Sequence, residues 1–134
     1  MTSVEQPLLL DTVAFIFWHV DSPRLSTTAR RAMLEAPQRT IYVSAASAFE
    51  ISTKVRLGKL TVPPAMLHDF AYVVQADGFR LVDIDAASAI RAGRLDSAHR
   101  DPFDRLIGAQ ALLLNGAVVT NDAAFAELGV DVFW

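Results

Sequence analysis

Short apolar runs alternate along this chain with longer segments of helical period, and polar residues stand at nearly every changeover. Pro7 to Leu10 reads as a short buried strand that leads directly into Asp11. Thr12 to Val20 is apolar and of helical length, and Asp21-Ser22-Pro23 breaks it. Ser26 to Ala36 follows as a helix, with Ser26 as its N-cap and Pro37 as its end. Thr40-Ile41-Tyr42-Val43 is β-branched and aromatic and predicts a second strand. Ser44 to Leu57 predicts a helix stopped by Gly58. Pro63-Pro64 opens a further helix, Ala65 to Ala76, closed by Asp77-Gly78. Phe79 to Val82 is a third strand and Asp85 to Arg94 a small helix. Asp101-Pro102 starts the most apolar helix, Phe103 to Leu114, which Asn115-Gly116 stops. Ala117 to Thr120 predicts a fourth strand, Asn121 to Leu128 a short helix, and Val130 to Phe133 a fifth strand. Such alternation predicts an α/β fold whose mainly parallel five-stranded sheet is covered by helices on both faces. No repeat, low-complexity tract or linker interrupts it, so residues 1–134 are expected to form one domain.

Ligands of such sheets bind outside the carboxyl ends of the strands. Acids stand at or near these changeovers: Asp11, Glu50, Asp104 and Asp122. Far apart in sequence, they can meet at one sheet edge and offer hard oxygen donors to a divalent cation such as Mg²⁺ or Mn²⁺. Each also has a local explanation. Asp11 and Asp122 suit the N-caps of the segments that follow them. Asp101 precedes Pro102 as a cap, and Asp104 falls in the first helical turn, where the helix dipole favours an acid. Glu50 and Lys54 are an i,i+4 pair in the favourable order. Glu50 is the least ordinary of the set, because its neighbours Ala46, Ala48, Phe49 and Ile51 are small or apolar. A carboxylate there either reaches solvent or has a partner.

Composition narrows the chemistry. The 134 residues are 52% apolar and 20% charged, which suits a folded globular domain. There is no cysteine, so disulfides, thiol nucleophiles and thiolate metal sites are excluded, and a reducing cytoplasm is the expected location. No apolar stretch reaches the roughly 20 residues a bilayer span needs, and Met1 to Pro7 lacks the pattern of a secretory signal. His19, His68 and His99 are too scattered for a histidine zinc site, though His99 lies just before Asp101 and Asp104. Trp18, Trp134 and the phenylalanines read as core. A net charge of −3 is the wrong sign for holding nucleic acid by charge alone. A cation among the acids would offset it locally, and Lys54, Arg56, Lys59, Arg100 and Arg105 lie near the acids in sequence.

Four segments together resemble the PIN-domain family, in particular the toxin ribonucleases of VapBC-type toxin–antitoxin modules. They are Leu8-Leu9-Leu10-Asp11-Thr12; Ser47-Ala48-Phe49-Glu50-Ile51-Ser52-Thr53-Lys54 running on to Leu57-Gly58-Lys59-Leu60; His99-Arg100-Asp101-Pro102-Phe103-Asp104-Arg105-Leu106-Ile107; and Val119-Thr120-Asn121-Asp122. The third is the most specific. The resemblance implies a metal-dependent endoribonuclease with a parallel five-stranded sheet. It assigns catalytic and metal-binding roles to Asp11, Glu50, Asp104 and Asp122, with Mg²⁺ or Mn²⁺ as cofactor. Thr120 matches a small hydroxyl residue beside the site and Asp101 a frequent accessory acid. Lys54 or Arg105 would balance charge developing on the phosphate. Phe49 stands where many relatives have Trp, a departure expected to affect packing and not chemistry. The implied partners are an RNA substrate and a cognate antitoxin. A segment of the antitoxin would lie beside the acids, where an Arg or Lys could pair with Glu50 or Asp104 and exclude the cation.

The high apolar content and mean hydropathy of +0.30 lead us to expect a homodimer. Its apolar surface is expected from residues 44–76, with Phe49, Ile51, Val55, Leu57, Met66, Leu67, Phe70 and Tyr72. The competing expectation is a receiver-type phospho-acceptor domain, with Asp83 or Asp85 taking the phosphate. It lacks an adjacent acid pair after the first strand and a Lys after the fourth or fifth.

Overall fold

A computed structural model describes residues 5–134, so the part of the N-terminal expectation that concerns residues 1–4 lies outside it. Five strands form one sheet: β1 (Leu8–Leu10), β2 (Ile41–Ser44), β3 (Arg80–Val82), β4 (Ala117–Val119) and β5 (Asp131–Phe133). Their order is β3-β2-β1-β4-β5 and every pairing is parallel. Leu10, the last residue of β1, lies between Val43 of β2 and Val119 of β4. All three β1 residues are buried, as a central strand covered on both faces requires. Their side chains alternate. Leu8 and Leu10 pack with Phe15, Met33, Ile51 and Val74 on one face, and Leu9 packs with Ile107, Val118 and Phe125 on the other.

The helices are α1 (Thr12–His19), α2 (Thr27–Met33), α3 (Ala45–Arg56), α4 (Ala65–His68), α5 (Phe70–Ala76), α6 (Ala86–Arg94) and α7 (Pro102–Leu113), with a 3₁₀ helix over Ala123–Leu128. Side chains cap most of them: Asp11, Ser26, Ser44, Asp85 and Asp101 each accept a backbone N–H of the first turn. Gly58, with φ of +72°, follows α3 in the left-handed conformation open to glycine, and Asn115 does the same after α7 at φ of 53°. Gly116 admits no side chain, because a Cβ would stand 2.8 Å from the Pro7 carbonyl oxygen.

The structure corrects three expectations. The helix expected over residues 65–76 is two, divided at Asp69, whose φ of −149° is not helical. Met66 on the first piece and Val73 and Val74 on the second all point inward, so the division serves the core. Ile51 and Met66, expected on a dimer surface, are core residues instead. The receiver alternative fails on topology. That fold has strand order 2-1-3-4-5, whereas β1 is central here. Asp85 closes a capping box with Ser88 at the start of α6, a structural task.

Candidate active site

The sheet order places its switch point between β1 and β4, because the chain builds outward through β2 and β3 on one side and later adds β4 and β5 on the other. The crevice beyond the carboxyl ends of these strands is where parallel sheets bind ligands. Asp11 is the first residue past β1, and its backbone N–H still donates to the Val119 carbonyl at 3.1 Å. Its Oδ1 accepts the Ala14 N–H at 2.6 Å, so the capping role is real. That role uses one oxygen of a side chain in a residue only 7% exposed.

Burial pushes the Asp11 carboxyl up to about 6. Hydrogen bonds from Thr120 and from the Ala14 N–H oppose the rise, while the negative charges of Asp104 and Glu50 add to it. Asp104 is likewise raised, first by burial and then, against the pull of His99, by the charges of Asp101 and Glu50. Asp11, Glu50 and Asp104 therefore sit within electrostatic reach of one another, having arrived from β1, α3 and the first turn of α7. The Thr12 and Ser47 hydroxyls, 2.9 Å apart and buried, tie the start of α1 to α3 beneath them.

Each acid is held by a partner from its own chain. Lys54 Nζ donates to Glu50 Oε2 at 2.8 Å, and Glu50 is buried to 9% exposure. His99 Nε2 lies 2.9 Å from Asp104 Oδ2. Asp101 Oδ1 accepts the backbone N–H groups of Phe103 and Asp104 at 2.9 and 3.2 Å, which makes it the N-cap of α7. His99 has no counterpart among the expected site residues. Its position just ahead of the Asp101-Pro102 helix start was the only signal for it.

Two expected residues turn elsewhere. Asp122 is exposed and its Oδ1 caps Ala124 at 2.9 Å. It is not among the charges that act on Asp11 or Asp104. Its backbone N–H donates to the Thr120 hydroxyl at 3.0 Å, so it bears on the site through Thr120. The Arg105 guanidinium points away from the acids and donates to the carbonyls of Ala92, Gly93, Leu95, Ser97 and His99. It clamps the α6–α7 loop and has no donor left for a phosphate. Phe49, expected to pack, is 66% exposed and touches Phe103 of α7.

The donor set suits a hard divalent cation, being carboxylates gathered where Glu50 adds to the proton affinity of both Asp11 and Asp104. Among the described residues, however, no three such side chains are gathered into a ready-made metal cage. The carboxylates are turned toward Lys54, His99 and the Ala14 N–H. Mg²⁺ asks for only one or two protein carboxylates and keeps several waters, so a closed cage is not required.

The model of the PIN domain family matches residues 8–131, which is almost the whole chain. The chain belongs to the PIN domain family. Solved structures with the same fold include VapBC2 from Rickettsia felis bound to a DNA fragment from their promoter. This PIN domain matches a chain of it at 17% identity and a TM-score of 0.68, covering 95% of this chain and 97% of that one. FitAB bound to the IR36 DNA fragment gives 18% identity, a TM-score of 0.66, and coverage of 94% and 93%. FitAcB from Neisseria gonorrhoeae gives 21% identity, a TM-score of 0.64, and coverage of 95% and 96%. No curated protein matches the chain significantly. At these identities the solved structures speak for the fold, and PIN domains as a family are nucleases.

Proposed function

We propose that this PIN domain is the toxin of a toxin–antitoxin pair, an endoribonuclease that uses Mg²⁺ or Mn²⁺. The observation that carries the proposal is the buried Asp11 carboxyl at the switch point, raised to about 6 with Glu50 and Asp104 acting on it. In this scheme Asp11 and Asp104 are the principal cation ligands, and Glu50 completes the site directly or through water. Asp122, being exposed and engaged as a cap, contributes from the rim through Thr120. A divalent cation held by these carboxylates would supply Lewis-acid chemistry, lowering the pKa of water for attack on the phosphodiester and offsetting charge on its oxygens. The chain's own residues do the rest. Thr120 orients the Asp11 carboxylate, and Asp101 fixes the first turn of α7 and with it Asp104. Lys54, which now donates to Glu50 at 2.8 Å, would be available to the scissile phosphate if Glu50 were to hold the cation. His99 sits within reach to hold or pass a proton at Asp104 Oδ2.

Pairing with an antitoxin is supported by the likeness to the VapBC2, FitAB and FitAcB structures. A basic side chain from the partner would compete with the cation for Glu50 or Asp104. A homodimer is supported by the exposed Leu57, Leu67 and Tyr72 within residues 44–76. No helix among the described residues is long and apolar enough to cross a membrane, and the proposed setting is the cytoplasm. The test is induced expression of the chain followed by sequencing of RNA 5′ ends, beside Asp11→Asn. Recurrent new ends and growth arrest with the intact chain, both absent with Asp11→Asn, are the expected result. Identical RNA profiles would refute the proposal.

A further inference from the structure

Phe49 is a large aromatic left 66% in solvent, one residue before Glu50 on α3. Phe103 precedes Asp104 by one residue on α7. The two rings meet across the helices with centroids 5.5 Å apart and planes inclined at 40°. An aromatic pair thus bridges the two helices that deliver two of the site's acids. On the same side of α3, Ala48, Phe49, Ser52, Thr53 and Arg56 line an open depression. Arg56 has no carboxylate within salt-bridge distance among the described residues, which leaves its guanidinium for an anion.

We propose that the Phe49 ring, backed by Phe103, is a stacking platform for one unpaired nucleobase of single-stranded RNA, with Arg56 beside it for a phosphate. The inference rests on the ribonuclease reading and names the substrate's form. Four observations favour a base as the occupant over a core or protein contact. The ring is solvent-exposed on the helix that carries Glu50, one residue before it. Phe103 contacts the ring at a centroid distance of 5.5 Å, and Phe49 still keeps two thirds of its surface in solvent. Polar Ser52 and Thr53 adjoin it, where a protein-docking face would continue apolar. A guanidinium without a carboxylate partner among the described residues stands two turns further along the same helix and lines the same depression. Stacking on an aromatic face tolerates any base and requires that the base be unpaired, so duplex RNA cannot use it. The platform therefore selects loops and single strands near the acids.

The test uses an unstructured, fluorescently labelled RNA of about 10 nucleotides, a length in the range that one binding domain covers. Its binding is measured by anisotropy in chelator, where cleavage does not compete. Phe49→Ala is expected to weaken binding about five- to 150-fold, the loss of one stacked base, and Phe49→Tyr to retain most of it. An RNA in which one abasic position is walked along the strand should show a position whose removal weakens binding to the intact chain. That penalty should disappear in Phe49→Ala. A duplex of the same length should be indifferent to the substitution. Unchanged binding by Phe49→Ala, or an abasic penalty that persists in it, overturns the proposal. So does a Phe49→Ala chain that binds RNA normally but changes its sedimentation, because Phe49 would then be a protein contact. Cleavage of the same RNA by the intact chain in Mg²⁺ is scored separately. Cleavage with no effect of Phe49→Ala overturns the platform alone, while Phe49-dependent binding without cleavage overturns the nuclease reading alone.

Discussion

Replacing Asp11 by Asn should stabilise the cation-free protein while removing its activity. The Asp11 carboxyl is raised from 3.8 to about 6, chiefly by burial. A folded-state pKa above the unfolded value means that the folded chain holds the proton more tightly. Asp11 therefore costs no stability below about pH 3.8. The penalty grows as pH rises from there to about 6, and it is complete above that. At 1.36 kcal/mol per pH unit the full penalty comes to about 3 kcal/mol. Asn lacks the charge and still accepts the Ala14 N–H that Asp11 Oδ1 takes at 2.6 Å. It also caps helices about as well as Asp. The new amide N–H₂ must find partners in a buried place, and leaving one unmet returns about 1 kcal/mol or more. The net gain at neutral pH is about 1–3 kcal/mol, or roughly 4–11 °C in Tm for a chain of this length. Thermal melts of both chains in chelator, at neutral pH and near pH 4, measure it. The gain should be present at neutral pH and shrink toward zero near pH 4. Added Mg²⁺ should close the gap at neutral pH by raising the intact chain alone. An Asn variant that melts at or below the intact chain at neutral pH, or a gain independent of pH, would refute the electrostatic account of the site.

Asp101→Asn should keep most of the stability and activity, whereas Asp101→Ala should cost about 1 kcal/mol in denaturant unfolding, because Asp101 caps two N–H groups of α7. Arg105→Ala should strip five carbonyls of their donor and cost about 2 kcal/mol or more, with amide exchange rising over residues 93–99; Arg105→Lys should recover little of it. Mg²⁺ affinity, followed by calorimetry, should weaken as pH falls through about 6, because the cation needs Asp11 ionised; an affinity flat from pH 7.5 to about 5 would exclude Asp11 as a ligand.

Most of the fold was legible because its elements are short and sharply punctuated. Leu8-Leu9-Leu10 could only be a buried strand with Asp11 at its end. Ser26, Asp101-Pro102, Gly58 and Asn115-Gly116 bound their helices as cap and stop chemistry requires. Asp69 was not legible, since one non-helical residue between two helical runs leaves no mark on apolar spacing. The same limit explains the site. Sequence order put Asp11 just past β1, Glu50 midway along α3 and Asp104 in the first turn of α7, and parallel topology brought them within electrostatic reach of one another. Direction was hidden. Whether Arg105 faces phosphate or the carbonyls of residues 92–99 depends on how the α6–α7 loop curls back, and local spacing says nothing of that. Phe49 was read both with the core phenylalanines and with an apolar helix surface over residues 44–76, and only the rotation of α3 about its axis, which leaves it 66% exposed, decides between them.

The most direct measurement is cleavage of single-stranded RNA by the purified chain in chelator, in Mg²⁺ and in Mn²⁺, beside Asp104→Asn. Asp104 is chosen because its loss leaves the Asp101 cap of α7 intact. The account predicts no cleavage in chelator, cleavage restored by either cation, and loss of at least about 100-fold in the variant, the scale of one electrostatic contribution to a transition state. Full cleavage in excess chelator, or an Asp104→Asn chain that cleaves as fast as the intact one, would contradict it.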